Sequence, residues 1–344
     1  MKLCRLLPLL TLCLLFSCQQ EEERYRVPRF RDQIDIDIVR YDREFFENGN
    51  IADSVFWYLY CENIMQFGTV GEKETQCYLE LFHSDSDVCK TYRKAQTIFD
   101  ENEKLEADLS EAFFRLKHFI PDIPLPKVSM HISGFGQSVV SAPGILSAGI
   151  DKYLGSDYPI YKELFYEYQL SRMIPEQLAA DYLNGWLRSE FTHESLMEDV
   201  RLLDYLVYEG KILFLLEKIF PKMPFEYLAA WNRENYVWCV QNEAPMWERI
   251  QYYEHLYSRD PLVLQKYIGD GPSTVYFTED SPARAAIWIG YRIVCDFMQR
   301  HPDMEILPMM MEVRADSILR ESLYRPTDIL TTQPARRRER TSGT

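Results

Sequence analysis

The chain has 344 residues, of which 47% are hydrophobic and 26% charged, and its formal net charge is −15. That apolar content is enough for one large core or two modest ones and excludes a largely disordered chain. So acidic a surface repels nucleic acid and anionic headgroups, so no nucleic-acid partner is expected and a membrane link cannot rest on a basic face.

Residues 1–17 have the three parts of an export leader: basic Lys2 and Arg5, an apolar stretch from Leu6 to Phe16, and small Ser17 before Cys18. The apolar stretch falls short of the roughly 20 residues that a membrane-spanning helix needs. Leu15-Phe16-Ser17-Cys18 is the pattern at which a bacterial signal peptide gives way to a lipid anchor. The Cys18 thiol would carry a diacylglycerol and its new amine a further chain such as palmitate, and several acyl chains give a stable anchor. The mature chain, more acidic still without Lys2 and Arg5, then hangs from the membrane on a tether, residues 18–32. Cys4 and Cys13 leave with the leader, so Cys61, Cys77, Cys89, Cys239 and Cys295 remain. An odd number excludes a complete disulfide framework. One pair among Cys61, Cys77 and Cys89 and buried free thiols are both open readings, and no CxxC spacing marks a metal or redox site.

Gln33 to Ile38 alternates as a half-buried strand does, and aromatic-rich helical patterns follow over 43–67 and 73–95. From Ile98 to Ile120 the period is that of an amphipathic helix, with Leu105, Leu109, Ala112, Phe113 and Leu116 on one face and Glu101, Glu103, Lys104 and Glu111 toward water. Pro121, Pro124 and Pro126 end it. Three short strands are expected at Lys127–Ser133, Gln137–Ala142 and Gly144–Ile150, separated by glycines and Pro143 and read as a meander. Helices are expected at 158–170, 175–190, 195–220, 232–257 and 282–300, with Pro175 and Pro282 in first turns and Ser195 with Glu198 as a capping box. The expected fold is mainly α, a single helical domain over 33–330 with a small three-stranded β meander, followed by a disordered basic tail, 331–344.

Catalytic signatures are sparse. His193-Glu194-Ser195-Leu196-Met197 has methionine where a zinc helix needs its second histidine, and Ser195 reads as a cap. His83, His118, His131, His255 and His301 stand singly, and His131 reads as a satisfied strand histidine. There is no GxSxG elbow and no P-loop, and Gly134-Phe135-Gly136 reads as a turn. Carboxylates abound, but no spacing selects the pair that a glycosidase would need. Trp238, Glu243, Trp247 and Glu248, then Gly269-Asp270-Gly271-Pro272, Arg284, Trp288 and Arg292, form the densest polar and aromatic run, in which a buried arginine requires a carboxylate partner.

Several segments carry a resemblance: Asp151-Lys152-Tyr153-Leu154-Gly155, Leu203 to Lys211, Trp238-Cys239 with Asn242-Glu243 and Trp247, and Ser281-Pro282 with Arg284, Trp288-Ile289-Gly290 and Val294. With the lipobox, they resemble the gliding-motility lipoprotein GldB family of the Bacteroidetes over most of the mature chain. The resemblance implies an envelope lipoprotein without known catalysis, linked to machinery that moves or secretes adhesins. Glu21-Glu22-Glu23 resembles the acidic tag that sends such lipoproteins to the outer face of the outer membrane, with a solvated tether as the alternative. The scaffold is more distantly similar to HExxH-type predicted zinc proteases, with Glu209-Gly210 in the third-ligand position, but Leu178-Ala179-Ala180-Asp181-Tyr182 and its surroundings contain no histidine. The expectation is a degenerate zinc-protease-like scaffold that needs no cofactor or metal and binds an envelope protein or peptide in a vestigial cleft. Asp151, Asp181, Asp204, Glu209, Trp238, Glu243, Arg284 and Trp288 are its candidate residues, Glu209 foremost. The alternatives are a metal-dependent or carboxylate hydrolase of envelope peptide or glycan, and a glycan-binding lipoprotein using exposed Trp and Tyr faces.

Overall fold

The computed structural model describes residues 24–28, 34–48, 58–192 and 200–326. The leader, Cys18, the acidic run at Glu21, the His193 motif with its capping box and the basic tail lie outside the described residues. The expected mainly α class holds. No helix among the described residues is long and apolar enough to cross a membrane.

Those residues fall into two compact units, one drawn from Met1–Thr192, Ile212–Ala230 and His301–Glu312, the other from His193–Lys211, Trp231–Arg300 and Val313–Thr344. One of the chain's passages between them, from Lys211 to Ile212, falls within a helix, Leu202–Ile219.

In the first unit the alternation from Ile34 to Ile38 is real, with Ile36 and Ile38 buried and Asp35 and Asp37 exposed. It is not paired as a strand: the Ile36 and Ile38 N–H groups donate to Ser110 Oγ and Glu106 Oε1 of helix α3 (Glu103–Phe119). Pairing begins one residue later, at β1 (Val39–Arg40). The sheet has four strands in the order β1-β2-β4-β3, with β2 at Lys127–His131, β3 at Val139–Ala142 and β4 at Ile145–Gly149. The expected three-stranded meander is therefore corrected. β4 inserts between β2 and β3, parallel to β2 and antiparallel to β3. Burial explains the order, because β4 is buried at every residue and β2 at all but Lys127, as central strands are, whereas β3 is half-buried throughout, as an edge is. Gly144, at φ 73°, makes the β3–β4 turn.

Helices α1 (Lys73–Ser84) and α2 (Ser86–Ile98) precede α3, and Asp85 caps α2 by accepting from Asp87 N and Val88 N. Leu109, Ala112, Phe113 and Leu116 of α3 are buried as expected, while Leu105 is half-buried. Helix α4 (Leu178–Glu190), entered through Pro175, lies on the sheet: Tyr182 OH donates to Ser129 O at 2.6 Å, and a Cβ on Gly185 would stand 2.7 Å from Val139 Cγ1. The segment expected to be one helix at 158–170 is two single turns, Tyr161–Leu164 and Glu167–Leu170.

The second unit uses the first half of α5 (Leu202–Ile219), then α6 (Arg233–Gln241), α7 (Glu243–Tyr252), α8 (Pro261–Ile268), α9 (Ala286–Arg300) and, after α10 (Ile306–Met311) of the first unit, α11 (Ala315–Ser322). The helix expected over 232–257 breaks at Asn242, since Pro245 has no N–H to continue the ladder. Pro282 does not sit in a first turn either; Arg284 takes the left-handed conformation at φ 58°, which delays α9 to Ala286. Where α5 crosses α9, backbone meets backbone. A Cβ on Gly290 would lie 1.8 Å from Leu206 O and one on Gly210 2.3 Å from Gly290 O, so both positions demand glycine.

All five cysteines among the described residues are free. Cys61 and Cys239 are buried, but Cys77 is exposed and Cys89 half-buried, so buried thiols describe only part of the set.

Candidate functional site

Six of the eight candidate residues belong to the second unit, and polar networks hold most of them. Glu209 projects from α5 with its side chain only 2% exposed, and its Oε2 accepts from Arg284 Nη2 at 3.3 Å. The left-handed turn that carries Arg284 is fixed by Thr274 and Ser281, both buried: Thr274 Oγ1 donates to Pro282 O and accepts from Ala285 N. Glu243, at the start of α7, gathers three groups. Trp288 Nε1 donates to Oε2 at 2.9 Å, Tyr324 OH to Oε1 at 3.1 Å, and Arg292 Nε lies 3.5 Å away. Burial, with the Glu243 charge beside it, pushes the Tyr324 hydroxyl well above its ordinary range. Asp204 is held bidentately by Arg201, which also grips Asp316. Burial opposes the Asp204 charge, but Arg201 outweighs it and holds the carboxyl below its usual value. Trp238 is half-buried on α6, and Trp288 is 4% exposed.

The other two candidates belong to the first unit. Asp151 is fully buried, and its carboxylate accepts from Ser133 N at 2.8 Å, Ser133 Oγ and Phe135 N at 2.5 Å. It staples the expected turn, in which Gly134 and Phe135 have φ near 64° and 65°. Burial raises its pKa against the lowering effect of those donors. Beside this turn, His131 is fully buried with Nδ1 2.8 Å from Ser147 Oγ, but Nε2 has no hydrogen-bond partner among the described residues, so the satisfied strand histidine expected is satisfied at one nitrogen only. Burial pushes its pKa down to about 3, against an opposing contact with Gln137, so it is neutral at physiological pH. Asp181, on α4, accepts from Tyr153 OH at 2.7 Å and Gln177 Nε2 at 2.8 Å.

These carboxylates hold structure together. Glu209, which the resemblance to zinc proteases led one to expect as a ligand, faces a guanidinium, and among the described residues no group of three or more His, Cys, Asp or Glu could hold a metal ion.

Sequence reasoning missed an open groove of about 580 Å³ in the first unit, lined by none of the eight candidates. Its apolar surface comes from Leu105 and Ala112 of α3, Ala179 of α4, and Phe220, Met223 and Tyr227 in the turn after α5. Glu101, Asp108, Glu111 and Glu176 stand exposed around it, against Lys104 and Lys222. The signal was Pro221-Lys222-Met223-Pro224, two prolines that stop α5 and hold a methionine outside any helical face.

A family model described as "Gliding motility protein GldB" matches residues 23–326, most of the chain. The chain belongs to the GldB family. Membership places it among gliding-motility-associated lipoproteins of the cell envelope. The match spans both units and every segment that carried the resemblance except the lipobox. No curated protein and no solved structure matches it.

Proposed function

We propose that this GldB-family protein is a non-catalytic scaffold, lipid-anchored through Cys18 in the outer membrane, that holds a protein or peptide of the motility or secretion machinery in the first unit's groove. The acid-rimmed apolar groove carries the reading. Its volume lies in the range of ligand-binding clefts, and Glu101, Asp108 and Glu176, beside a Glu111 already paired with Arg115, outnumber the two ammonium groups and favour a segment with apolar anchors and basic flanks. The candidate carboxylates support the non-catalytic part, because at least one oxygen of each is engaged by a donor within the fold.

Crosslinking in cells, followed by recovery through the lipoprotein, tests this. Asp108→Lys with Glu176→Lys reverses the charge of the rim at two exposed positions. The double variant is expected to keep its abundance and melting temperature and to lose a crosslinked partner that the parent recovers. Recovery of the same partners at the same yield would place binding elsewhere and refute the groove.

A further inference from the structure

Where α7 ends, the second unit exposes more aromatic surface than its core requires. Tyr252 is 79% exposed, Tyr257 55% and Tyr253 40%. Behind them runs a continuous ladder of rings. Tyr253 stacks on His255 at 5.3 Å and 17°, His255 meets Tyr276 at 4.6 Å, and Tyr276 stacks on Tyr267 at 4.9 Å and 27°. The inner end is fixed, since Tyr267 is fully buried and its hydroxyl lies 3.1 Å from His255 Nδ1. The outer end is open: Tyr252 touches Tyr253 at 5.2 Å, close to edge-on, and keeps most of its surface in water. Two cations sit on the ladder, Arg249 5.9 Å from the Tyr253 centroid and Lys266 5.3 Å from that of Tyr276.

Rings that brace one another have little rotamer freedom left to lose on binding, which is the condition under which aromatic platforms bind well. Their chemistry is two-sided, with an apolar face bordered by hydroxyl, imidazole, guanidinium and ammonium groups. A pyranose has the complementary pattern, a face of C–H groups ringed by hydroxyl and ether oxygens. An aliphatic protein surface or a lipid tail would cover the faces but leave those polar edges to be desolvated without partners, which is costly.

We propose that the outer end of this ladder is a polysaccharide-binding surface, with a sugar ring stacked on Tyr252, the Tyr253 edge and hydroxyl beside it, and sugar oxygens accepting from Arg249 and Lys266. It is independent of the groove in the first unit. It also relocates the aromatic contact expected from sequence, since Trp288 is buried beneath Glu243 and cannot serve as a platform.

The test is an immobilised array of neutral and acidic bacterial polysaccharides probed with the full-length lipoprotein in detergent. The expected result is saturable binding to at least one polysaccharide, weakened at least tenfold by Tyr252→Ala alone with the melting temperature unchanged, and further by Tyr252→Ala with Tyr253→Ala. Lys266→Met separates the two sources, because it weakens binding to acidic polymers more than to neutral ones. An array on which nothing binds, or binding that the double tyrosine variant retains, overturns the proposal. So does a double variant that keeps its glycan and loses a protein crosslink instead.

Discussion

Replacing Glu209 with alanine removes one half of a buried ion pair. The carboxylate is 2% exposed and lies 3.3 Å from Arg284, whose side chain is 21% exposed. At an effective dielectric constant of about 20, two unit charges at that separation attract by about 5 kcal/mol. Deleting the carboxylate forfeits this attraction and orphans the guanidinium, which can regain only part of its hydration, so the expected loss of stability is about 3–5 kcal/mol. In a protein of this size each kcal/mol moves the melting temperature by about 2–4 °C, so Glu209→Ala should melt roughly 10 °C lower. Thermal and urea unfolding of Glu209→Ala, Arg284→Met and the double variant measure this. The double variant should lose much less than the two single variants together, because it strands neither charge. A Glu209→Ala protein that melts like its parent, or strict additivity in the cycle, would refute the structural role and return Glu209 to the list of binding residues.

Gly290→Ala should cost on the order of 3 kcal/mol or more, since its Cβ would meet Leu206 O at 1.8 Å and the two helices would have to part; unfolding midpoints that match the parent would show that the crossing is looser than described. Because the folded-state pKa of His131 is held down to about 3, the unfolded chain binds a proton that the folded one refuses, so this contribution is complete above pH 6.5 and is lost as pH falls toward 3. Between pH 7.5 and 4.5 the parent should lose about 3 kcal/mol more than His131→Asn, and equal losses in urea melts would contradict the burial of a neutral ring. Protein purified without a histidine tag should carry no stoichiometric zinc by elemental analysis; zinc at one equivalent, removable by chelator, would overturn the non-catalytic proposal.

The helical elements were legible because their signals are local. The face of α3 from Leu109 to Leu116 follows from residues within a few positions of one another. The sheet was legible in its strands and not in its order, since Val128, Ser129 and Met130 say that β2 is buried but not that β4 and a two-residue β1 are its neighbours. Parallel pairing of segments some 90 residues apart leaves no periodic trace. The break at Asn242 was written in Pro245, but aromatic periodicity through 232–257 masked it. Gly210 and Gly290 were noticed within family-like segments, yet nothing along the chain reveals that each is the other's neighbour.

The site was legible at the level of residue types alone. A buried arginine was expected to require a carboxylate, and Arg284 has one; that the partner is Glu209, 75 positions earlier, is set by the crossing of α5 over the turn before α9. This pairing bears on the protease-like reading directly. A carboxylate offered as a third zinc ligand must present its charge to a dication, whereas here the charge is already matched by a guanidinium at 3.3 Å. A divalent ion at that oxygen would have to displace Arg284 or sit beside it, and two cations a few ångströms apart in a buried setting repel by several kcal/mol. The buried carboxylate of Glu209 is thus accounted for by Arg284, whose charge it neutralises in the turn before α9.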